Sequence, residues 1–297
     1  MSPRAPAIPV VLLLAVCWTW TALFAGQDRT RHPDADPPPA RIVSVVPAAT
    51  EILFAIGAGP QVIAVSSYDR FPPEVEGLPR VGALVDPDLE RILALEPDLV
   101  VAYATQRELV EQLTRASVDT YRYAHGDLDD IWSTIRDLGR AAGRLQQAER
   151  LVASIEARLD TISRRIAGRQ RPRVLLVFGR DAGSLRGVYA SGGYGFLHDM
   201  LERAGGRNVF DRIDSERVQV TLEEILAASP EVIIELRATL SADAVGAEER
   251  VWDALPALPA VRTGRVDVLT GEELVVPGPR VADAVDRLAR VLHPDAF

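Results

Sequence analysis

Apolar positions along the chain fall into short unbroken runs and longer runs with helical spacing. The short runs are Ile42–Val46, Val62–Val65, Leu99–Ala102, Val174–Phe178, Val232–Glu235 and Val266–Leu269, with Asp119–Tyr123 as a more polar member. Runs without alternation suit strands buried on both faces of a parallel sheet. Between them, helical spacing predicts a helix that follows a loop at Pro47–Glu51 and runs to about Ile56, and helices from Leu89, over Glu108–Ala116 and over Asp129–Ala142. Further helices are predicted over Phe196–Ala204, around Val251–Ala254 and over Val281–Leu292. The longest periodic stretch is Leu145–Gly168. Its apolar residues Ala148, Val152, Ile155, Leu159, Ile162 and Ile166 alternate steps of four and three and make one helix face. At 1.5 Å per residue it spans roughly 35 Å, about a small domain's diameter. Strands alternating with helices predict an α/β fold.

The sequence repeats across that long helix. Leu89–Tyr103 reads LERILALEPDLVVAY and Leu222–Leu236 reads LEEILAASPEVIIEL, aligning without a gap. Each copy describes a short helix, a turn through Pro97 or Pro230, then an apolar strand. The predicted architecture is therefore two small α/β lobes joined by one long rigid α-helix. In residue terms these are an N-terminal lobe at 41–144, a connecting helix at 145–168 and a C-terminal lobe at 169–297.

Composition narrows the function classes. The net charge of −9 argues against nucleic acid as the main partner. All 33 basic residues are Arg, which excludes a Schiff-base lysine and a P-loop lysine. The single Cys17 lies near the N-terminus, and His32, His125, His198 and His293 show no metal-ligand spacing. No G-x-S-x-G is present, so an enzyme here would have to rely on carboxylates alone; the reading is a binding protein with no resident cofactor and no metal. Residues 1–25 carry an early Arg4 and then an apolar run, which reads as a signal peptide or an N-terminal membrane anchor. Leu14-Ala15-Val16-Cys17 half-matches a lipoprotein site, with Val16 where a small residue is wanted. Residues 26–40, with Pro37-Pro38-Pro39, read as a flexible tether. The body is expected in the periplasm or on the outer face of the cytoplasmic membrane. A surface-tethered sensor or scavenger is the alternative if the N-terminus is retained.

The ordered motifs VVPAATEILFAIGAG, VSSYDRFPPEV, LERILALEPDLVVA, ASGGYGFLHDMLERAGGRNVF, LEEILAASPEVIIE and PGPR resemble a class III periplasmic substrate-binding protein over roughly Arg41 to Pro294. The nearest branch is the vitamin B12-binding one; siderophore and haem binders share its fold. The resemblance implies a ligand cleft between the lobes, a protein that is monomeric when free, and delivery to an inner-membrane ABC permease with its ATPase. It also implies docking through one surface Glu on each lobe, at Glu90 and Glu223. Both also stand in a predicted first helical turn, where a carboxylate simply complements the helix dipole. Loops after strand C-terminal ends should feed the cleft. The candidates there are Tyr68, Tyr103, Arg180, Tyr194 and Arg237. Tyr68 matches an aromatic of the B12 branch, whereas Leu84 and the region of Arg217 stand where that branch often has Trp. The implied ligand is a cobalamin-like corrinoid. Haem, through a Tyr axial ligand, and an anionic ferric siderophore, through Arg70, Arg180 or Arg237, are the alternatives.

Overall fold

A computed structural model describes residues 37–297 of the chain. The apolar export segment, Cys17 and residues 26–36 of the expected tether lie outside the described residues. The last part of that tether, residues 37–40, lies against the first lobe: Gln61 Nε2 donates to Pro39 O at 2.6 Å and Ala40 N to Asp98 Oδ2 at 2.8 Å. No helix among the described residues is long and apolar enough to cross a membrane.

The first lobe is built from β1 (Ile42–Ser44), α1 (Pro47–Ala55), β2 (Val62–Val65), α2 (Leu89–Ala94), β3 (Leu99–Tyr103), α3 (Arg107–Arg115), β4 (Asp119–Tyr123) and α4 (Leu128–Ala141). Its four strands are all parallel, in the order β2-β1-β3-β4. Val100, Val101 and Ala102 of β3 are fully buried, as an unbroken apolar strand inside a parallel sheet requires.

The long helix α5 spans Leu145–Arg165. Its buried residues are Ala148, Val152, Ile155, Leu159 and Ile162, the periodic apolar face. Ile166 caps the helix rather than continuing it, and Gly168 follows with φ +75°.

The second lobe contains β5 (Arg173–Gly179), β6 (Val188–Ser191), α6 (Phe196–Arg203), β7 (Arg207–Asn208), β8 (Arg217–Val220), α7 (Leu222–Ala228), β9 (Val232–Arg237), α8 (Ala242–Arg250), α9 (Pro259–Arg262), β10 (Val266–Thr270) and α10 (Val281–Leu292). Its sheet runs β10-β9-β5-β6-β8. It is not a copy of the first sheet, because β6 pairs antiparallel with both β5 and β8. The cause is local: the turn between β5 and β6 uses Gly183 and Gly187 at φ +66° and +60° and returns the chain as a hairpin. One other expectation shifts. Around Val251–Ala254 the chain forms a 3-10 helix, and the α-helix α8 precedes it. Beside β2, Arg80 makes a single bridge to Val65; Pro79 lacks an N–H and Gly82 turns away at φ +83°.

The two copies of the sequence repeat are α2–β3 and α7–β9. In both, the helix ends on a left-handed residue at the same place, Glu96 (φ +45°) and Ser229 (φ +46°), immediately before the repeated proline. A proline there cannot continue the helix, so the preceding residue takes the sharp turn.

One core crosses between the lobes. Val43, Ile52 and Val101 belong to the same buried cluster as α5, Val174, Leu176 and Leu288 of α10.

Candidate functional site

The cleft arises where strand ends of both lobes meet. At its edges the lobes are tied by specific bonds. Phe196 N, opening α6, donates to Gly126 O at 3.0 Å, and Leu128 N, opening α4, donates to Asp199 Oδ2 at 3.1 Å. On the other side Glu51 of α1 holds Arg280, just before α10, through Nε–Oε2 at 2.8 Å and Nη2–Oε1 at 2.5 Å. Arg280 also lies 4.0 Å from the Phe71 ring centroid.

Between these ties lies a cavity of about 590 Å³. The first lobe supplies His125, from the loop after β4. The second supplies Phe178 of β5, Tyr194 and Phe196 at the entry to α6, Glu216 and Arg217 at the start of β8, and Leu236 and Arg237 at the end of β9. A volume in the range of small-molecule sites, roughly 300–1,000 Å³, with mainly apolar walls and a few charged groups suits a large amphipathic ligand.

The sequence candidates separate clearly. Tyr194 and Arg237 line the cavity. Tyr103 does not; it sits half-buried behind His125, with ring centroids 5.6 Å apart, and Tyr123 completes the cluster at 5.2 Å from His125. Burial pushes the Tyr103 hydroxyl up to about 12, and raises Tyr123 further. Tyr68 does not line the cavity either; it is 67% exposed, in a loop tied by Ser67 N to Gly82 O at 2.7 Å. Leu84 and Val85 are exposed on the adjoining loop, whose carbonyls at Ala83 and Leu84 are held by Gln106 Nε2.

Arg180 is a correction. Its side chain is wholly buried and its donors are occupied by Glu235 Oε2, Asp181 O, Ser184 O and Glu248 O. It belongs to the interior of the second lobe and has no hydrogen to offer a ligand.

His125 is the residue that sequence reasoning missed. Desolvation in the cleft lowers its pKa, with Glu216 from the other lobe opposing, so its imidazole faces the cavity neutral. The signal that finds it is the rule already applied elsewhere: β4 also has a C-terminal end, and its loop also faces the cleft.

Glu90 and Glu223 stand in the first turns of α2 and α7, and both are exposed. Capping of these helices falls to other groups. Asp88 accepts from Arg91 N at 3.0 Å, while Thr221 and Glu224 form a reciprocal capping box. Among the described residues neither Glu90 nor Glu223 has an ion-pair partner.

A family model for periplasmic binding proteins matches residues 42–272. A vitamin B12-binding protein of Vibrio parahaemolyticus is 28% identical over 84% of this chain and 88% of its own length. An uncharacterised ABC transporter substrate-binding lipoprotein of Bacillus subtilis is 27% identical over 87% of this chain and 82% of its own. Among solved structures, a periplasmic haem-binding protein of Pseudomonas aeruginosa superposes with a TM-score of 0.75 at 28% identity, covering 87% of this chain and 94% of that one.

Proposed function

The chain belongs to the periplasmic binding protein family, and on that premise we propose that it captures a cobalamin-like corrinoid in the cleft and hands it to an ABC importer of the inner membrane. The observation that carries the reading is the cavity itself. Phe178, Tyr194, Phe196 and Leu236 offer apolar walls to a macrocycle, while Arg217, Arg237, Glu216 and His125 can meet polar groups at its edge. The Vibrio parahaemolyticus relative binds vitamin B12 by name, which supports the same ligand class.

Haem is the second reading. A haem binder shares the fold at 28% identity, and His125 and Tyr194 on the cavity wall are side chains able to serve as an axial ligand. A corrinoid is separated from haem by direct titration of each.

Delivery would use Glu90 and Glu223. An exposed carboxylate on each lobe, unpaired among the described residues, can meet arginines of a permease and set orientation and encounter rate. The export reading of residues 1–25 places the body on the outer side of the inner membrane, where such a permease is reached.

Two measurements test this. Calorimetry should show one cyanocobalamin per chain, and Tyr194→Ala should weaken it by roughly tenfold or more, the cost of removing a large apolar contact. The double variant Glu90→Ala, Glu223→Ala should retain binding and lose importer-dependent uptake. Normal uptake by that variant would remove the docking role.

A further inference from the structure

We propose that Arg237 selects ligands bearing an acidic oxygen group, a carboxylate or a phosphate, and that Glu235 is the positioning residue that holds it ready. The inference rests on the cleft being the ligand site.

Arg237 ends β9, and Glu235, two residues earlier, shares its face of the strand. Arg237 Nε donates to Glu235 Oε1 at 2.7 Å, and Nη2 approaches the same oxygen at 2.5 Å. Glu235 is wholly buried. Its other oxygen accepts from Arg180 Nε at 2.9 Å and Trp252 Nε1 at 3.3 Å. With donors on both oxygens the carboxylate has no freedom to turn away.

One carboxylate therefore serves two guanidinium groups. Arg180 has a second counter-charge, Glu248, at 2.7 Å. Arg237 has none: among the described residues no other group accepts from its fork, and Nη2 is buried without a hydrogen bond of good geometry. The outcome is a guanidinium on the cavity wall with one edge fixed and its charge only half matched. Held this way, with Nη1 the donor left to reach the cavity, the guanidinium gives up little side-chain freedom when it meets an oxygen of a carboxylate or a phosphate. Arg217, the cavity's other guanidinium, has an exposed side chain with no ion-pair partner among the described residues, so it must be ordered at the moment of binding.

The test uses two pairs of probes of which one member carries an acidic group that the other lacks. Haemin carries two carboxylates that its dimethyl ester lacks. Cyanocobalamin carries a nucleotide loop, phosphodiester included, that dicyanocobinamide lacks, so in that pair the change of the ratio on Arg237→Gln, rather than the ratio itself, reads the phosphate contact. Affinities of the purified protein for whichever pair it binds are compared with those of Arg237→Gln, Arg237→Lys, Arg217→Gln and Glu235→Asp. The last keeps the charge that buried Arg180 needs but retracts the carboxylate; circular dichroism and melting check its fold.

The wild type should prefer the acidic member by roughly tenfold to a hundredfold, the range of a charge-assisted hydrogen bond. Arg237→Gln should bring that ratio close to one, and Arg217→Gln should change it less. Glu235→Asp and Arg237→Lys should each lower the ratio several-fold, because the charge survives and the held fork does not. A merely structural Glu235 would lower the melting temperature and leave the ratio intact. Equal binding of both members by the wild type, or a wild-type ratio in Arg237→Gln, overturns the selection by Arg237 while leaving the cleft reading in place. A ratio unchanged in Arg237→Lys overturns the positioning role even if Glu235→Asp does not fold. Binding of neither pair by the wild type removes the ligand reading, and this inference with it.

Discussion

Asp69 shows how one side chain sets a pH dependence. It is 3% exposed, its Oδ2 accepts from Ser66 N at 2.8 Å, and its Oδ1 has no partner among the described residues. Burial pushes the carboxyl up from about 3.8 to about 6, against that hydrogen bond and the nearby Arg80 charge. The folded chain thus holds this proton more tightly than the unfolded chain. Stability from the neutral form is full below about pH 4 and is lost as pH rises to about 6. Above that, the ionised group costs on the order of 3 kcal/mol. Asp69→Asn should change little at pH 4 and stabilise by up to about that amount at pH 7, measured by urea unfolding at both values. A gain independent of pH would contradict the account. The same scale explains what the sequence could and could not announce. Arg180 and Arg237 are the same residue type at the ends of neighbouring strands, and the strand-end rule selects both. Both reach Glu235, but Arg180 is also held in the interior by Asp181 O, Ser184 O and by Glu248, 68 residues along the chain. A pairing that distant leaves no local trace in the sequence.

At the scale of elements, period and repeat carried the reading. The stripe on α5 is visible because burial on one helix face forces steps of three and four. The repeat is visible because helix, turn and strand all recur, down to the left-handed residues Glu96 and Ser229. Those residues cost stability that glycine would not. Ser229→Gly should stabilise by about 0.5–1 kcal/mol in urea unfolding, since a left-handed conformation costs an L-residue about 1–2 kcal/mol and glycine recovers only part of it. Loss of stability in that variant would contradict the turn geometry. Thr221→Ala should cost about 1 kcal/mol, because it removes the cap that Glu224 N donates to. The antiparallel strand β6 was hidden for a different reason. Val188–Ser191 is short and runs straight into Gly192-Gly193. Its pairing with β5 and β8 is decided by the hairpin turn rather than by its own apolar pattern.

For the whole molecule, the question is how the lobes are held around the cleft. Glu51 and Arg280 join them as a bidentate pair, with Arg280 also 3.5 Å from Glu273 and over Phe71. Burial raises the Glu51 pKa. Burial also works against the Arg280 charge, but the Glu51 bonds, with Glu273 and Glu272 nearby, outweigh it and raise that pKa too. Both shifts are upward, but for Glu51 that disfavours the charged form and for Arg280 it favours it, because one guanidinium answers several carboxylates while each carboxylate has only a share of it. Removing one partner strands the other. Arg280→Ala should cost about 3–5 kcal/mol, whereas replacing both groups by apolar residues of similar volume should cost far less. With this pair on one side, the α4–α6 bonds on the other and α5 unbroken by Gly or Pro, the lobes should move by only a few degrees on binding. Small-angle scattering should show no large contraction on adding ligand, and a large one would contradict the account. The central claim, that the cleft binds a corrinoid, is tested most directly by calorimetric titration of the purified protein with cyanocobalamin, haemin and a ferric siderophore. The account predicts tight one-to-one binding of cyanocobalamin and much weaker binding of the other two; binding of haemin or the siderophore with none of cyanocobalamin would contradict it.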